Sequence, residues 1–158
     1  MYKIRATKNI EDNYKALYAA IDAHMTQEPD VIANMANISS FIYHSLADVN
    51  WAGFYLLKGD TLVLGPFVGK PACTRIVPGS GVCGACHRLG QVVVVPDVSV
   101  FEGHIACDGD TKSEIVLPLF KDDVFFGVLD IDSPVLNRFT EIDEKHLTKI
   151  ALRVQKGL

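Results

Sequence analysis

Apolar residues recur along this chain with a helical period near both ends and with a shorter period between them. Over residues 12–25 they return every three or four positions, which predicts an amphipathic helix. A similar stripe predicts a second helix over residues 29–46, with Pro29 at its first position. Further on, Thr140-Glu141-Ile142-Asp143 resembles a capping box in which Asp replaces Glu, and it predicts a helix to about Gln155.

The middle of the chain has the pattern of strands and long loops. Strands are predicted over residues 49–57, 62–68, 92–95, 114–120 and 124–131, the third of them buried. The last two form a hairpin around residues 121–123. The loops 69–91, with a short helix starting at the Ser80 cap, and 96–112 are longer than usual, which favours a functional role. This order predicts one α+β domain over residues 1–158, with helices packed on an antiparallel sheet.

Composition and charge narrow the class of function. The chain has 158 residues, of which 49% are hydrophobic, and a formal net charge of −4. This acidic balance argues against binding to nucleic acid or to an anionic membrane. The apolar runs are too short to span a bilayer and the N-terminal residues do not resemble a signal peptide, so we expect a cytoplasmic protein with reduced thiols.

Three carboxylates are predicted to share one face of the hairpin. Asp130 and Asp132 are two residues apart in a strand, so their Cα atoms should be roughly 6.7 Å apart on one side. If the hairpin loop has three residues, Phe120 pairs with Val124. Glu114 then pairs with Asp130 on that face, whereas a two-residue loop would place Glu114 on the opposite face. Carboxylates this close to one another raise the pKa of at least one of them, and a general acid needs such a raised pKa. The alternative interpretation is a sheet face on which all three carboxylates are solvated.

The four cysteines, Cys73, Cys83, Cys86 and Cys107, lie in the two long loops and allow several interpretations. A zinc site is one, although Cys83 and Cys86 form a single Cys-x-x-Cys pair. Cys83-Gly84-Ala85-Cys86-His87 also matches a c-type haem attachment signature, which normally belongs to exported proteins. Thiol redox catalysis, with a nucleophile and a resolving thiol, is the third, and buried inert cysteines are the fourth.

Cys107 is the best candidate for a nucleophile. Its neighbours are Gly, Asp and His rather than an apolar run, so its thiol should be reachable by a substrate. His104 could help to form the thiolate or could merely satisfy backbone groups. Asp108 and Asp110 would oppose the thiolate, so the sequence alone leaves its activation unexplained.

An aromatic wall is predicted on the first strand. Trp51, Gly53 and Tyr55 share one face of it, and Gly53 should leave room between the two rings. Such a gap suits a small methyl-sulfur group, and a plain hydrophobic core is the alternative.

These segments together resemble the free methionine-R-sulfoxide reductases, small enzymes of the GAF fold. The resemblance covers nearly the whole chain, in order, and includes the spacing of three cysteines. Its segments are Asn50-Trp51-Ala52-Gly53-Phe54-Tyr55, Gly69-Lys70-Pro71-Ala72-Cys73, Gly81-Val82-Cys83-Gly84, residues 101–108, residues 113–119, residues 127–134 and Arg138-Phe139-Thr140.

The resemblance implies a fold and an activity. The fold would be an antiparallel sheet with the N- and C-terminal helices on one face and a loop-covered pocket on the other. The activity would be reduction of free L-methionine R-sulfoxide through a cysteine sulfenic acid and an intramolecular disulfide. Thioredoxin would recycle the enzyme, so that neither a cofactor nor a metal is needed, and the protein would be a homodimer. A GAF sensor domain without catalysis and a zinc-binding structural module are the alternatives.

The resemblance also implies roles for individual residues. Cys107 would attack the sulfoxide, Cys73 would resolve the sulfenic acid and Cys83 would take part in recycling. Cys86 departs from the family pattern and could compete as the resolving thiol. The acids Glu114, Asp130 and Asp132 would bind the sulfoxide oxygen and the ammonium group, with Glu114 or Asp132 as the proton donor. Trp51 would pack on the methyl group, with Tyr55 beside it.

Overall fold

The structure, a computed structural model, describes residues 7–105 and 107–158. In these residues the order of elements is α1 (Ile10–Gln27), α2 (Val31–Ser45), β1 (Trp51–Lys58), β2 (Thr61–Gly69), β3 (Arg75–Ile76), α3 (Gly81–Leu89), β4 (Val93–Val95), β5 (Ser113–Lys121), β6 (Val124–Ser133) and α4 (Glu141–Gln155). A 3₁₀ turn at Val98–Val100 lies in the loop before β5. The predicted α+β class is confirmed.

The strands form one antiparallel sheet that separates two apolar clusters. Its strand order is β3-β2-β1-β6-β5-β4. On one face, Phe54, Leu117 and Leu129 pack with the buried sides of α1, α2 and α4. On the other face, Tyr55, Val116 and other residues pack with α3 and the long loops. The N- and C-terminal helices therefore lie on one face, as predicted, and the loops cover the other.

Two helix starts differ in detail from their predictions. Pro29 is not the first residue of α2, because Asp30 is its N-cap and accepts a hydrogen bond from Ala33 N at 2.8 Å. The proline thus precedes the cap. Helix α3 does follow Ser80, but the Ser80 side chain makes no capping hydrogen bond. The capping box of α4 is confirmed, with Asp143 Oδ2 accepting from Thr140 N at 2.8 Å.

The strand predicted as buried over residues 92–95 is an edge strand. It spans Val93–Val95 and, among the described strands, pairs with β5 alone. Its first two residues are half-buried and Val95 is buried. A short apolar run does not distinguish a central strand from an edge strand that a helix covers on one side.

The hairpin of β5 and β6 has a two-residue turn rather than the predicted three-residue loop. Lys121 pairs with Val124, and the turn residues Asp122 and Asp123 have φ angles of 51° and 62°. Positive φ at both central residues is the geometry of a type I′ turn, whose twist matches that of the strands.

A β-bulge then restores the side-chain alternation that the short turn would have reversed. One extra residue of β6, Phe126, lies between the pairs at the turn and the pairs beyond it. The predicted pairing of Glu114 with Asp130 is wrong, since Glu114 pairs with Asp132 and Val116 with Asp130. The three carboxylates nevertheless share one face, because the turn and the bulge together shift the register by an even number of residues.

Candidate functional site

The functional side chains lie on neighbouring strands at the face that α3 and the loops cover. Strand β1 pairs with β6 so that Trp51 lies opposite Asp132, and β6 pairs with β5 so that Asp132 lies opposite Glu114. Two residues further along β1, Gly53 lies opposite Asp130. Regular alternation in the three strands therefore places an aromatic ring and three carboxylates side by side.

These residues line a cavity that the two long loops close. The space between its atoms, including the open mouth, is about 550 Å³. Its walls are built by Trp51 and Tyr55 from β1, by the three carboxylates, by α3 residues Gly81, Val82 and Cys83, and by loop residues that include Ala72, His104, Ile105, Cys107 and Thr111. The cavity thus brings the candidate nucleophile and the candidate acids to one place.

Cys107, which lines this cavity, forms a disulfide with Cys73. Their Cα atoms are 5.8 Å apart, although 34 residues separate them in sequence. Cys107 is exposed and Cys73 is half-buried. The two loops therefore unite a reachable sulfur with a partner that can close a disulfide on it.

Cys83 and Cys86 stay free and buried in α3. Burial and the nearby carboxylates, Asp130 first among them, raise the pKa of Cys83 well above its usual value. Burial, with the charge of Asp130, raises the pKa of Cys86 to about 12. The Cys86 Sγ donates to Val116 O at 3.7 Å. In this state both groups are neutral thiols.

Glu114 and Asp130 share a proton-dependent contact at the base of the cavity. Only 6% of each residue is exposed. Burial, followed by the charges of Asp130 and Asp132, raises the pKa of Glu114 well above its usual range. Burial raises the pKa of Asp130 to about 6, although hydrogen bonds from Glu114 and Cys83 oppose the rise. Glu114 is thus the protonated donor and Asp130 the acceptor.

Asp132 has a similarly raised pKa. Burial is the main cause, the charges of Asp130 and Asp108 add to it, and a hydrogen bond from Thr111 opposes it. Among the described residues, Oδ1 of Asp130 and Oδ1 of Asp132 are buried and accept no hydrogen bond. A buried carboxyl oxygen without a partner is costly, so both atoms are ready to receive a donor from a bound molecule.

His104 approaches the acids. Its Nε2 lies 3.8 Å from Glu114 Oε2. Burial lowers the pKa of His104, so its ring is largely neutral at pH 7. That it helps Cys107 to form a thiolate stays a prediction.

The aromatic wall differs from its prediction at Gly53. No gap lies above this glycine, because a Cβ there would lie 2.7 Å from Trp51 Cη2 and 2.3 Å from Phe67 Cβ. The indole of Trp51 fills the space and stacks between Tyr55 and Phe67, at centroid distances of 5.9 and 5.3 Å. Gly53 is thus needed to let the indole lie flat on the strand.

Both rings also hold the loop that carries Cys73. Trp51 Nε1 donates to Lys70 O at 3.2 Å, and the Tyr55 hydroxyl donates to Cys73 O at 2.8 Å. The sequence predicted that both rings contact a ligand, but it did not predict that they also hold the Cys73 loop. Backbone contacts of this kind leave no signature in the sequence.

Other residues of the site escaped sequence reasoning. Lys70 Nζ contacts Asp108 Oδ1 at 3.4 Å and Asp110 Oδ2 at 2.5 Å, and so offsets the two charges beside Cys107. Asn50 Nδ2 donates to Thr111 Oγ1 at 3.2 Å and to Asp108 Oδ2 at 3.4 Å. Lys70 and Asn50 lie inside segments that carry the resemblance, which is the signal that could have drawn attention to them.

Among the described residues, one group combines donor types that a metal ion accepts. Cys83, Glu114 and Asp130 have ligand atoms within 4.8 Å of one another. The three groups are buried together, and Glu114 and Cys83 both act on the pKa of Asp130. The four-cysteine zinc site considered from the sequence does not assemble in this state, because Cys73 and Cys107 are bonded to each other.

Comparisons with known proteins show the family of the chain. The GAF domain family model matches residues 31–158. The chain is 54% identical over 150 residues to Protein YtsP of Bacillus subtilis, with 94% of this chain and 92% of that one covered. It is 50% identical over 150 residues to the free methionine-R-sulfoxide reductase of Escherichia coli, with 95% and 91% covered. The crystal structure of the free methionine-R-sulfoxide reductase of Neisseria meningitidis with its substrate superposes with a TM-score of 0.95 at 39% identity, covering 99% of this chain and 95% of that one.

Proposed function

This chain belongs to the free methionine-R-sulfoxide reductases of the GAF domain family, and we propose from that membership and from the site that it reduces free L-methionine R-sulfoxide to L-methionine. The observation that carries the proposal is the convergence of Cys107 and three carboxylates on one cavity, together with the disulfide that joins Cys107 to Cys73. A sulfoxide needs a nucleophile at sulfur and a proton at oxygen, and this cavity offers both.

In the reaction, the Cys107 thiolate attacks the sulfoxide sulfur while Glu114 or Asp132 gives a proton to the oxygen. Methionine leaves, and Cys107 keeps the oxygen as a sulfenic acid. The Cys73 thiol then attacks the Cys107 sulfur, a disulfide forms and water is released. Burial raises the pKa of both acids well above the usual range, which supports their role as donors.

The substrate is a free amino acid rather than a residue of a protein. The unpartnered oxygens of Asp130 and Asp132 are suited to the ammonium group, and Trp51 with Tyr55 to the methyl-sulfur end. A peptide nitrogen carries no charge, so the buried carboxylates would lose their partner.

A dithiol protein of the thioredoxin kind restores the enzyme. The exposed position of Cys107 supports this step, because an incoming thiolate can approach the disulfide. Cys73 is the first resolving thiol, since its sulfur is the one bonded to Cys107, whereas Cys83 and Cys86 lie buried in α3. Cys83 serves in recycling through its place at the cavity wall. No bound cofactor or metal is required.

The remaining features belong to the same proposal. The single domain predicted over residues 1–158 is supported, within the described residues 7–105 and 107–158, by the packing of α1 and α4 on each other. Homodimerisation and a cytoplasmic location follow the family resemblance, and a light-scattering mass would test the first. Among the described residues, no helix is long and apolar enough to cross a membrane.

Turnover of separate sulfoxide isomers tests the function. With thioredoxin and its reductase, the protein should reduce free L-methionine R-sulfoxide and leave the S isomer and N-acetylated substrate largely unchanged. Cys107→Ser should abolish turnover, whereas Cys86→Ala should keep it, because that thiol donates to β5 outside the cavity. A sensor domain without catalysis would bind the ligand and turn over neither isomer.

A further inference from the structure

Lys70 joins the two loops that carry the redox cysteines. It lies three residues before Cys73, and its ammonium group contacts Asp108 Oδ1 at 3.4 Å and Asp110 Oδ2 at 2.5 Å. Both acids follow Cys107 closely in the opposite loop. An ionic contact thus runs beside the disulfide and involves neither sulfur atom.

The Asp108 end of this contact is anchored, unlike that of an ordinary surface ion pair, and the main chain of Lys70 is also held, although the Lys70 side chain is 61% exposed. Asp108 has a side chain that is only 9% exposed, and it accepts further hydrogen bonds from Asn50 Nδ2 and from Asp110 N. At the other end, the carbonyl of Lys70 accepts from Trp51 Nε1 at 3.2 Å. Surface pairs contribute little because two free side chains must be ordered, and here much of that order already exists.

We propose that Lys70 is a positioning residue that keeps the Cys73 loop against the Cys107 loop while the disulfide is open. The proposal rests on the proposed function, in which the disulfide opens and closes in every cycle. After sulfoxide reduction, Cys107 carries the sulfenic oxygen. The Cys73 sulfur bonds to the Cys107 sulfur, the S–O bond breaks, and the hydroxyl leaves with the Cys73 proton as water.

The effect expected is on the effective concentration of Cys73 near Cys107. A link between the loops restricts the distance that the two sulfurs can separate, which favours disulfide closure over an open pair. It also shortens the life of the sulfenic acid, which further oxidation would otherwise convert to sulfinic acid. Lys70 also offsets the charges of Asp108 and Asp110 beside Cys107, so its loss weakens the Cys107 thiolate as well. The effect on disulfide closure is therefore measured separately from the effect on methionine formation.

Equilibrium with dithiothreitol tests the proposal without any turnover. Lys70→Met should lower the equilibrium constant for closure of the Cys73–Cys107 disulfide by roughly threefold to tenfold, and Lys70→Arg should recover most of it. Lys112→Met is the matched control: this lysine lines the same surface pocket as Lys70 and its charge also acts on Asp110, but it makes no ion pair among the described residues. Added salt should weaken closure in the wild type and leave Lys70→Met nearly unchanged.

Single-turnover kinetics give the second readout. With reduced protein and one equivalent of substrate, Lys70→Met should slow formation of the disulfide by a larger factor than formation of methionine. More sulfenic acid should then be trapped by a 1,3-diketone reagent. Lys70 is exposed, and equal melting temperatures of the oxidised proteins would show that the variants fold.

Two results would overturn the proposal: unchanged closure in Lys70→Met, or an equal loss in Lys112→Met. Failure of the wild type to form methionine would instead refute the proposed function. The dithiothreitol equilibrium would still measure the Lys70 contact in that case, so the two failures are distinct.

Discussion

Glu114 has the properties that its proposed role in acid catalysis requires. Burial and the charges of two neighbouring carboxylates, Asp130 and Asp132, raise its pKa, so it keeps its proton. Its position at the start of β5, opposite Asp132, keeps it at the base of the cavity. A carboxyl group held in this way remains protonated at a pH at which a surface glutamate is ionised.

Glu114→Gln tests the role of this proton. Glutamine has the shape of the protonated acid and donates a hydrogen bond, but it transfers no proton. We expect kcat/KM to fall by at least about 100-fold with little change in folding. Glu102→Gln, on an exposed loop residue, should keep normal activity. Full activity in Glu114→Gln would leave Asp132 as the donor.

Burial of Asp130 in the site lowers the stability of the folded protein at pH values at which this group is ionised. Its pKa is raised to about 6 because the folded protein buries it, so the folded state binds a proton that the unfolded chain releases above about pH 4. The stability that this group contributes is therefore lost as the pH rises from about 4 to about 6.

Urea unfolding of Asp130→Asn measures this cost. Relative to the wild type, the variant should gain roughly 1–3 kcal/mol in the free energy of unfolding between pH 4 and pH 7. For Asp97→Asn, the free energy of unfolding should change in the opposite direction, because hydrogen bonds from Ser99 lower the pKa of Asp97. A pH-independent difference for Asp130→Asn would contradict the assignment.

At the scale of elements, the β5–β6 hairpin decides whether the site exists. The turn at Asp122 and Asp123 and the bulge at Phe126 together leave Glu114 on the face of Asp132. Alternation in the sequence predicted the strands and the shared face. It could not predict the pairing partner, because a bulge adds one residue without a marked change in pattern.

Asp123→Gly tests the turn geometry. Asp123 has a φ of 62°, which glycine adopts without the steric cost of a Cβ, so we expect thermal unfolding to show a gain of about 0.5–1 kcal/mol. Asp60→Gly in the turn between β1 and β2 should instead lower stability, because Asp60 has no positive φ and glycine only adds freedom to the unfolded chain. Equal effects at both sites would contradict this geometry.

The sequence predicted elements better than it predicted contacts between them. The stripe over residues 12–25 and the capping box at Thr140 gave helices close to their observed bounds, since both signals are local. The predicted environment of Cys107 was incomplete, because Lys70, which contacts Asp110 in the Cys107 loop, lies almost forty residues earlier in the sequence. The edge position of β4 likewise depends on the whole sheet, which no local pattern records.

At the scale of the molecule, one buried carboxylate connects the first helix to the rest. Asp143 in α4 is fully buried and accepts from Tyr14 OH of α1 at 2.6 Å and from Arg138 at 2.9 Å. Arg138 also donates to Ala47 O before β1. Helix α1 lies outside the residues that the GAF model matches, and this network fixes it to them.

Asp143→Asn should therefore destabilise the whole molecule. Burial alone would raise the pKa of Asp143, but the hydrogen bonds from Thr140, Tyr14 and Arg138 outweigh it and lower the pKa. The group thus contributes stability above about pH 4, which disappears as the pH falls through its folded-state pKa. We expect a loss of about 3 kcal/mol at pH 7 in urea unfolding, and a smaller loss for Tyr14→Phe. Glu144→Gln, an exposed neighbour, serves as control.

A single turnover without any recycling reductant tests the central claim most directly. Fully reduced protein mixed with free L-methionine R-sulfoxide should form one methionine per chain, and peptide mapping should find one new disulfide, between Cys73 and Cys107. Methionine formed without that bond, or a disulfide that pairs Cys83 or Cys86 instead, would contradict the account.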